Sequence, residues 1–325
     1  MKPEDFQALS AEIEKLTPHQ RKLLSKRLDT IQNVQAVNTL IESKVTTTST
    51  CPKCGHNKIA RWGSASGLQR YRCVACKATF NALTGTPLAR LRKKEKWLDY
   101  AQQMQQGSSV RKSAKACDVH RNTAFRWRHR FLDAPNGSKP TGLSGIAEAD
   151  EAFFLESFKG QKKAMPRASR KRGSKAAKPG LSDEQIPVLI CRDRSGNTTD
   201  FILEKDDRQH LVEALKPILP SDTILCTDGS RAMIGVARKL GITHRPVNLA
   251  AGIRVVAGVY HVQNVNAYGS RLKTWMRRFN GVATCHLANY LGWRRYLDRH
   301  IDNHSAASFL SASLGMKSFQ QLTMT

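Results

Sequence analysis

The sequence predicts an α/β protein in which two small modules precede one larger α/β domain. Three observations predict it. Two CxxC pairs lie close together around residue 60, and a strongly basic segment with helix-turn-helix spacing follows them. Beyond residue 144, apolar runs of strand length alternate with helical periodicity, and two of those runs deliver an aspartate.

Size and charge bound the rest. A chain of 325 residues has room for two or three domains, and 40% apolar content is enough to bury a core. Lys and Arg number 53 against 26 Asp and Glu, a formal charge of +27, and the isoelectric point is about 10.1. Such an excess favours a polyanionic partner, nucleic acid first. No uninterrupted apolar stretch of about 18 residues is present to span a bilayer, so no membrane partner is expected. The opening MKPEDFQALS is acidic and polar where a secretory signal is basic and then apolar. The expectation is a cytoplasmic, nucleoid-associated protein. Eight cysteines in that reducing setting read as metal ligands or buried thiols before disulfides.

Taken in order, residues 1–45 read as a helical arm. Phe6, Leu9, Ile13 and Leu16 share one helical face, and Thr17-Pro18 restarts a helix that carries Leu23, Leu24 and Leu28. A Thr/Ser-rich piece, Thr46 to Thr50, reads as a linker into a cysteine module at 46–85. There Cys51-Pro-Lys-Cys54 and Cys73-Val-Ala-Cys76 stand 18 residues apart. Each knuckle offers two thiolates to one tetrahedral Zn²⁺, and RWGSASGLQRYRC between them reads as two short strands around a Gly/Ser turn. A ribbon this small cannot make a core alone, so the zinc is expected to be structural. Cys117, Cys191, Cys226 and Cys285 lack paired spacing and read as buried thiols.

Residues 90–134 read as a helix-turn-helix. In SSVRKSAKACDVHRNTAFRWRHRFL, Val110 and Ala114 face inward from a first helix and Asp118-Val119 make the turn. Ala124, Trp127 and Phe131 bury one side of the second helix. Its N-terminal Arg121, Asn122 and Thr123 are placed to meet base edges, and Arg126, Arg128 and Arg130 to reach phosphates; an ordinary basic helical hairpin is the alternative. Trp97, Leu98, Ala101 and Met104 read as core. Pro135 to Ser144 is a second linker, rich in Pro, Gly and Ser.

The large domain spans 145–300, with a C-terminal tail at 301–325. GIAEADEAFF, residues 145–154, is strand-like and carries Asp150. Ile186–Cys191 and Thr198–Leu203 read as strands, Asp207–Leu219 as a helix, and Thr223–Cys226 as a strand that ends just before Asp228. Carboxylates on neighbouring strand ends amid positive charge suit a pair of divalent cations, which take hard oxygen ligands and share their remaining positions with phosphate. A solvated turn aspartate before Gly229 is the commoner reading of Asp228. Residues 159–178 hold nine Lys or Arg and no acid, a composition expected to stay flexible and to attract DNA.

The stretch YHVQNVNAYGSRLKTWMRRFNGVATCHLANYLGWRRY, residues 260–296, together with the order of modules, resembles the bacterial insertion-sequence transposases of the ISXO type, a branch of the DDE superfamily. The resemblance runs from about Cys51 to Tyr296. It implies an RNase H-like catalytic domain behind a zinc ribbon and a helix-turn-helix. It implies an enzyme that binds the terminal inverted repeats of an insertion sequence in double-stranded DNA, then cleaves and transfers strands with Mg²⁺ or Mn²⁺, as a homo-oligomer on DNA. Asp150 and Asp228 match the family's two aspartates. Asn266 takes the third position, with Asn264 as the neighbouring alternative, and Lys273 follows seven residues later on the same helical face. An asparagine there leaves the site one negative charge short of a three-carboxylate site, and Lys273 reads as a phosphate contact, with a plain surface lysine as the alternative. The chain departs from the family at Gly269, where the family has histidine, and at Cys285-His286, where it usually has Lys-Tyr. The competing function is a catalytically inactive DNA-binding protein, either a regulator or a decayed transposase.

Overall fold

The computed structural model describes every residue except 1, 49, 162–164, 166, 169–175, 177–181, 249–250, 302–304 and 317–325. Most of the basic segment expected at 159–178 therefore lies outside the described residues. The chain divides into two units: residues 1–134 with the C-terminal segment from 303, and residues 135–302.

The first unit opens with α1 (Pro3–Glu14) and α2 (Pro18–Thr48). α2 runs through Thr46–Thr48, where a linker was expected. A β-branched run is a poor helix former by itself. Here the helix is held from the preceding turns, where Val37 and Ile41 are buried and Glu42 accepts from Gln69 N at 2.8 Å and from Tyr71 Oη at 3.4 Å. The partners lie in a three-stranded antiparallel sheet of β1 (Ile59–Ala65), β2 (Leu68–Cys73) and β3 (Thr79–Asn81). Then come α3 (Trp97–Gln105), α4 (Val110–Ala116) and α5, which starts at Arg121. Ser109 caps α4 by accepting from Lys112 N at 3.3 Å. Asp118 makes the turn at φ 50°, a left-handed conformation that Asp tolerates better than most residues. Trp97, Tyr100, Ala101, Met104, Ala114, Ala124, Trp127 and Phe131 are buried, and the Tyr100 ring meets Trp127 and Phe131 edge-on at 5.3 and 5.2 Å.

The C-terminal segment is not a tail over its described part. Ala306–Ser313 form α10, which packs on α3 with Phe309, Leu310 and Leu314 buried. Lys44 Nζ donates to Leu314 O at 3.0 Å.

The second unit is a five-stranded sheet of β4 (Ile146–Leu155), β5 (Gln185–Asp193), β6 (Thr198–Ile202), β7 (Ile224–Thr227) and β8 (Thr243–Pro246), in the order β6-β5-β4-β7-β8. β4, β5 and β6 pair antiparallel, while β7 and β8 run parallel to β4. This order, with the first strand central, is the mixed α/β arrangement expected of an RNase H-like domain. α6 (Arg208–Leu215) connects β6 to β7, and α7 (Arg231–Leu240) connects β7 to β8. Both cover the face formed by Ala147, Ala149, Leu189, Cys191 and Leu225. α8 (Gln263–Arg277) packs on β4 and β5 and α9 (Leu287–Arg299) on β6. Side chains alternate along a strand, so even-numbered β4 residues point to the face opposite Ala147 and Ala149. Glu148 and Asp150 are among them, and Glu148 is bonded to α8.

Candidate active site and metal centre

The four ribbon cysteines converge. All four Sγ atoms lie within 4.8 Å of one another, with Cys51–Cys76 at 3.7 Å and Cys54–Cys73 at 3.6 Å. A tetrahedron with metal–sulfur bonds of 2.3 Å has an edge of about 3.8 Å, so the donor set fits one zinc ion. Backbone geometry prepares each knuckle. Cys51 N donates to His56 O and Gly55 N to Cys51 O, both at 2.9 Å, and Cys73 N donates to Ala78 O at 3.0 Å. The ribbon's own core is Cys51, Cys73 and Phe80 with Ile59 and Tyr71 against them. That is too little apolar surface to hold a fold unaided. Of the other cysteines, Cys117, Cys191 and Cys226 are buried as expected, but Cys285 is exposed, because it sits in the short turn at Thr284–His286 before α9.

The two aspartates occupy matching places on neighbouring strands. β4 and β7 pair in parallel with Ile146 opposite Ile224 and Glu148 opposite Cys226. Two residues beyond that last pair stand Asp150 and Asp228. Asp228 is exposed, and its Oδ1 accepts from Ser230 N at 2.9 Å. Ser230 in turn caps α7 by accepting from Met233 N at 3.3 Å. Gly229 between them has φ 81°, and an added Cβ there would lie 3.1 Å from Pro246 Cβ, so the turn requires glycine. The turn-aspartate description of Asp228 is thus accurate, and the same turn fixes the carboxylate beside Asp150. Burial pushes the Asp150 carboxyl above the usual carboxylate range; the Asp228 charge adds to the rise, while the Glu151 N–H and Lys273 oppose it.

Lys273 therefore reaches Asp150 electrostatically from α8. It is exposed, and Asn266 two turns earlier is half-buried. Seven residues at 3.6 per turn return to the same stripe. Asn264, nine residues from Lys273, lies half a turn away. It lines a separate pocket of about 310 Å³ with Arg192, Asp193, Arg194, Gly196, Ala267 and Arg271. Of the two asparagines, Asn266 shares the helical stripe of Lys273. Gly269 lies between Asn266 and Lys273, and nothing is within 4 Å of a Cβ added to it.

Sequence reasoning missed three acidic residues. Glu148 is fully buried. It accepts from Val265 N, in the first turn of α8, at 2.9 Å. It also pairs with Arg194, and His261 Nδ1 lies 3.4 Å away. This carboxylate ties the residue next to Asn266 to the strand that carries Asp150. On the opposite face of β4, burial pushes the Glu151 carboxyl up to about 8, helped by the charges of Asp206, Asp150 and Asp228. Asp206 is itself raised, by burial first and then by Asp207 and Asp228. The signal was the alternation in Glu148-Ala-Asp150-Glu151, which puts acids on both faces of one buried strand. Among the described residues, no three Asp, Glu, His or Cys groups other than the four cysteines converge within 4.8 Å.

On the helix-turn-helix, Arg121, Asn122 and Arg126 are exposed and Thr123 is half-buried. Arg128 is not a phosphate contact: it is 1% exposed, and its Nη2 donates to Ser108 O at 2.5 Å. Its place next to Trp127 on α5 turns it toward the α3–α4 loop. Arg130 is spent on the backbone of the preceding loop, donating to Pro87 O and, at 2.9 Å, to Ala89 O.

Residues 142–296 match the ISXO2-like transposase domain, and residues 89–143 match the homeodomain-like domain. An uncharacterized protein in transposable element ISH50 of Halobacterium salinarum is 28% identical over 245 residues, which is 74% of this chain and 82% of that protein. A chain in the crystal structure of a pre-cleavage Mos1 transpososome is 13% identical, with 72% of this chain and 81% of that chain covered, at a TM-score of 0.20. No helix among the described residues is long and apolar enough to cross a membrane. The match at 142–296 takes in β4, the turn at Asp228 and the Asn266–Lys273 stripe, and the match at 89–143 takes in α3 to α5. With a homeodomain-like domain followed by an ISXO2-like transposase domain, the chain has the make-up of a DNA-binding insertion-sequence transposase.

Proposed function

We propose that this transposase cuts and joins DNA ends at a site formed by Asp150, Asp228, Asn266 and Lys273. The observation that supports this reading is the matching register of Asp150 on β4 and Asp228 just past β7, with Lys273 of α8 acting on the Asp150 carboxyl. Asp150 and Asp228 repel one another, and they would hold a divalent cation whose charge would offset that repulsion, so their donor chemistry fits Mg²⁺ or Mn²⁺. Such cations, when bound, activate the attacking hydroxyl and offset charge on the leaving oxygen.

The chain's own residues do the rest. Asn266 would supply a neutral oxygen ligand to such a cation. The Lys273 ammonium holds a phosphate oxygen of the scissile strand and lowers the charge that builds on it. In the first step water attacks phosphorus and the 3′ oxygen leaves as a hydroxyl; in the second, that 3′ hydroxyl attacks a target phosphodiester and releases a target 3′ hydroxyl. Arg121, Asn122 and Thr123 read the terminal repeats in the major groove, and Arg126 holds the backbone. Zinc on Cys51, Cys54, Cys73 and Cys76 keeps the ribbon folded.

Asp228→Asn tests the reading in a nicking assay on DNA carrying the element's terminal inverted repeats. Expected is loss of cleavage and transfer in Mg²⁺ and in Mn²⁺, with repeat binding unchanged or slightly tighter through the lost negative charge. Wild-type nicking by the variant would reduce Asp228 to a turn residue and overturn the site. Repeat binding without nicking by the unaltered chain would instead favour the inactive DNA-binding protein.

A further inference from the structure

The N-terminal arm carries an apolar surface that no described residue covers. None of the twelve residues of α1 is buried, yet Phe6, Leu9 and Ile13 lie on one stripe, with Phe6 61% exposed. Their steps of three and four residues are those of a coiled-coil seam. The first half of α2 behaves the same way: Leu23, Leu28 and Ile31 are 55%, 50% and 48% exposed, while Val37 and Ile41 further along the helix are fully buried. Six of the large exposed apolar side chains thus fall within residues 6–31. A twelve-residue helix with nothing packed on its apolar face is marginal in water, and an apolar patch of this kind marks an interaction surface.

Charge identifies the occupant. α1 holds Glu4, Asp5, Glu12 and Glu14 and no Lys or Arg. The exposed first half of α2 holds Arg21, Lys22, Lys26 and Arg27 against Asp29 alone. The two helices of one arm have opposite charge and both expose large apolar side chains, so the arm complements a second copy of itself. A DNA surface would repel α1, and an anionic membrane would repel it equally.

We propose that residues 3–31 are a self-association surface, in which the α1 stripe of one chain packs on the Leu23–Ile31 stripe of α2 in a second copy of this chain, and the reverse. Asp5 and Glu12 flank the α1 seam, and Arg27 flanks that of α2. The inference does not rest on the proposed catalytic site, and self-association is read without DNA.

The test is sedimentation of the full zinc-loaded chain at micromolar concentration, without DNA. A dimer is expected. Leu9→Lys with Leu28→Lys should weaken self-association at least tenfold while zinc content and binding of a single terminal repeat stay unchanged. Asp5→Lys with Glu12→Lys should weaken it too, and addition of Arg27→Glu to that variant should restore part of the loss. A monomeric parent chain, or a dimer that these substitutions leave intact, would overturn the proposal. Charge reversals that act without mutual rescue would overturn the pairing of α1 with the partner's α2.

Discussion

The cysteine cluster and the proposed catalytic site of this protein are assembled in opposite ways. In the ribbon, four thiols from two knuckles already meet within 4.8 Å, held by turns a few residues long. In the transposase domain, one aspartate lies on β4 and the other just past β7, more than seventy residues later, and their proposed companions come from a helix further on. The first site is a local device whose residues lie close in the chain. The second exists only when a sheet, a turn and a helix are all in place, so it is sensitive to residues that never touch DNA or metal.

That difference can be pressed hardest at the ribbon. Cys73→Ser, or removal of the zinc by a chelator, should unfold residues 51–81 outright, since the small core of Cys51, Cys73 and Phe80 cannot offset the entropy of ordering them. Elemental analysis should find about one zinc per chain before treatment. Loss of cooperative ribbon unfolding with the zinc, read by cysteine reactivity, is the expected signature; a ribbon that keeps its protection without metal would contradict the local-device description.

Arg128→Ala sharpens the comparison from the helix-turn-helix, a unit of intermediate locality. Removing a buried, hydrogen-bonded arginine should cost about 2–3 kcal/mol of stability and leave the salt dependence of DNA binding unaltered in the fraction that remains folded. Arg126→Ala, by contrast, should make the salt slope shallower by about one. Thermal unfolding and salt titration separate the two.

Glu148→Gln probes how far the distributed site depends on its supports. The amide keeps an acceptor for Val265 N but gives up the charged pairing with Arg194. Cleavage should fall roughly tenfold or more, as for other residues that position ligands, while terminal-repeat binding holds. Unchanged cleavage would show that α8 is positioned without this bond. The smallest effect expected is at Gly269. Its neighbourhood is open, so Gly269→Ala should stabilise α8 by about 1 kcal/mol, measurable as a rise in Tm.

Legibility in the sequence followed the same division. Spacing alone located the zinc ligands, because a CxxC knuckle is a property of four consecutive residues. Helical periodicity located α3 to α5 and most of their core, from Trp97 to Phe131. β4 to β7 were also readable from their apolar runs. β8 was not, since Thr243–Pro246 is four residues long and largely exposed, and its place follows from pairing with β7. The helical end of α2 and the burial of α10 were equally hidden, because in each case packing against other elements outweighs a weak local preference.

What the sequence by itself determined is therefore the inventory: a basic chain, a four-thiol ribbon, a helix-turn-helix, an α/β domain and two aspartates next to strand ends. The tertiary structure decided which of those residues act together. It removed Arg128 from the DNA-facing set by burying it, separated Asn264 from Asn266 by half a helical turn, and introduced Glu148 as the tie between α8 and β4. The physical reason is the range of the forces involved. Knuckles, caps and helical stripes are set by contacts within a turn or two of the chain. Register between β4 and β7, and the side of α8 that faces them, are set by burial of surfaces distant in sequence, which no local pattern of residues encodes.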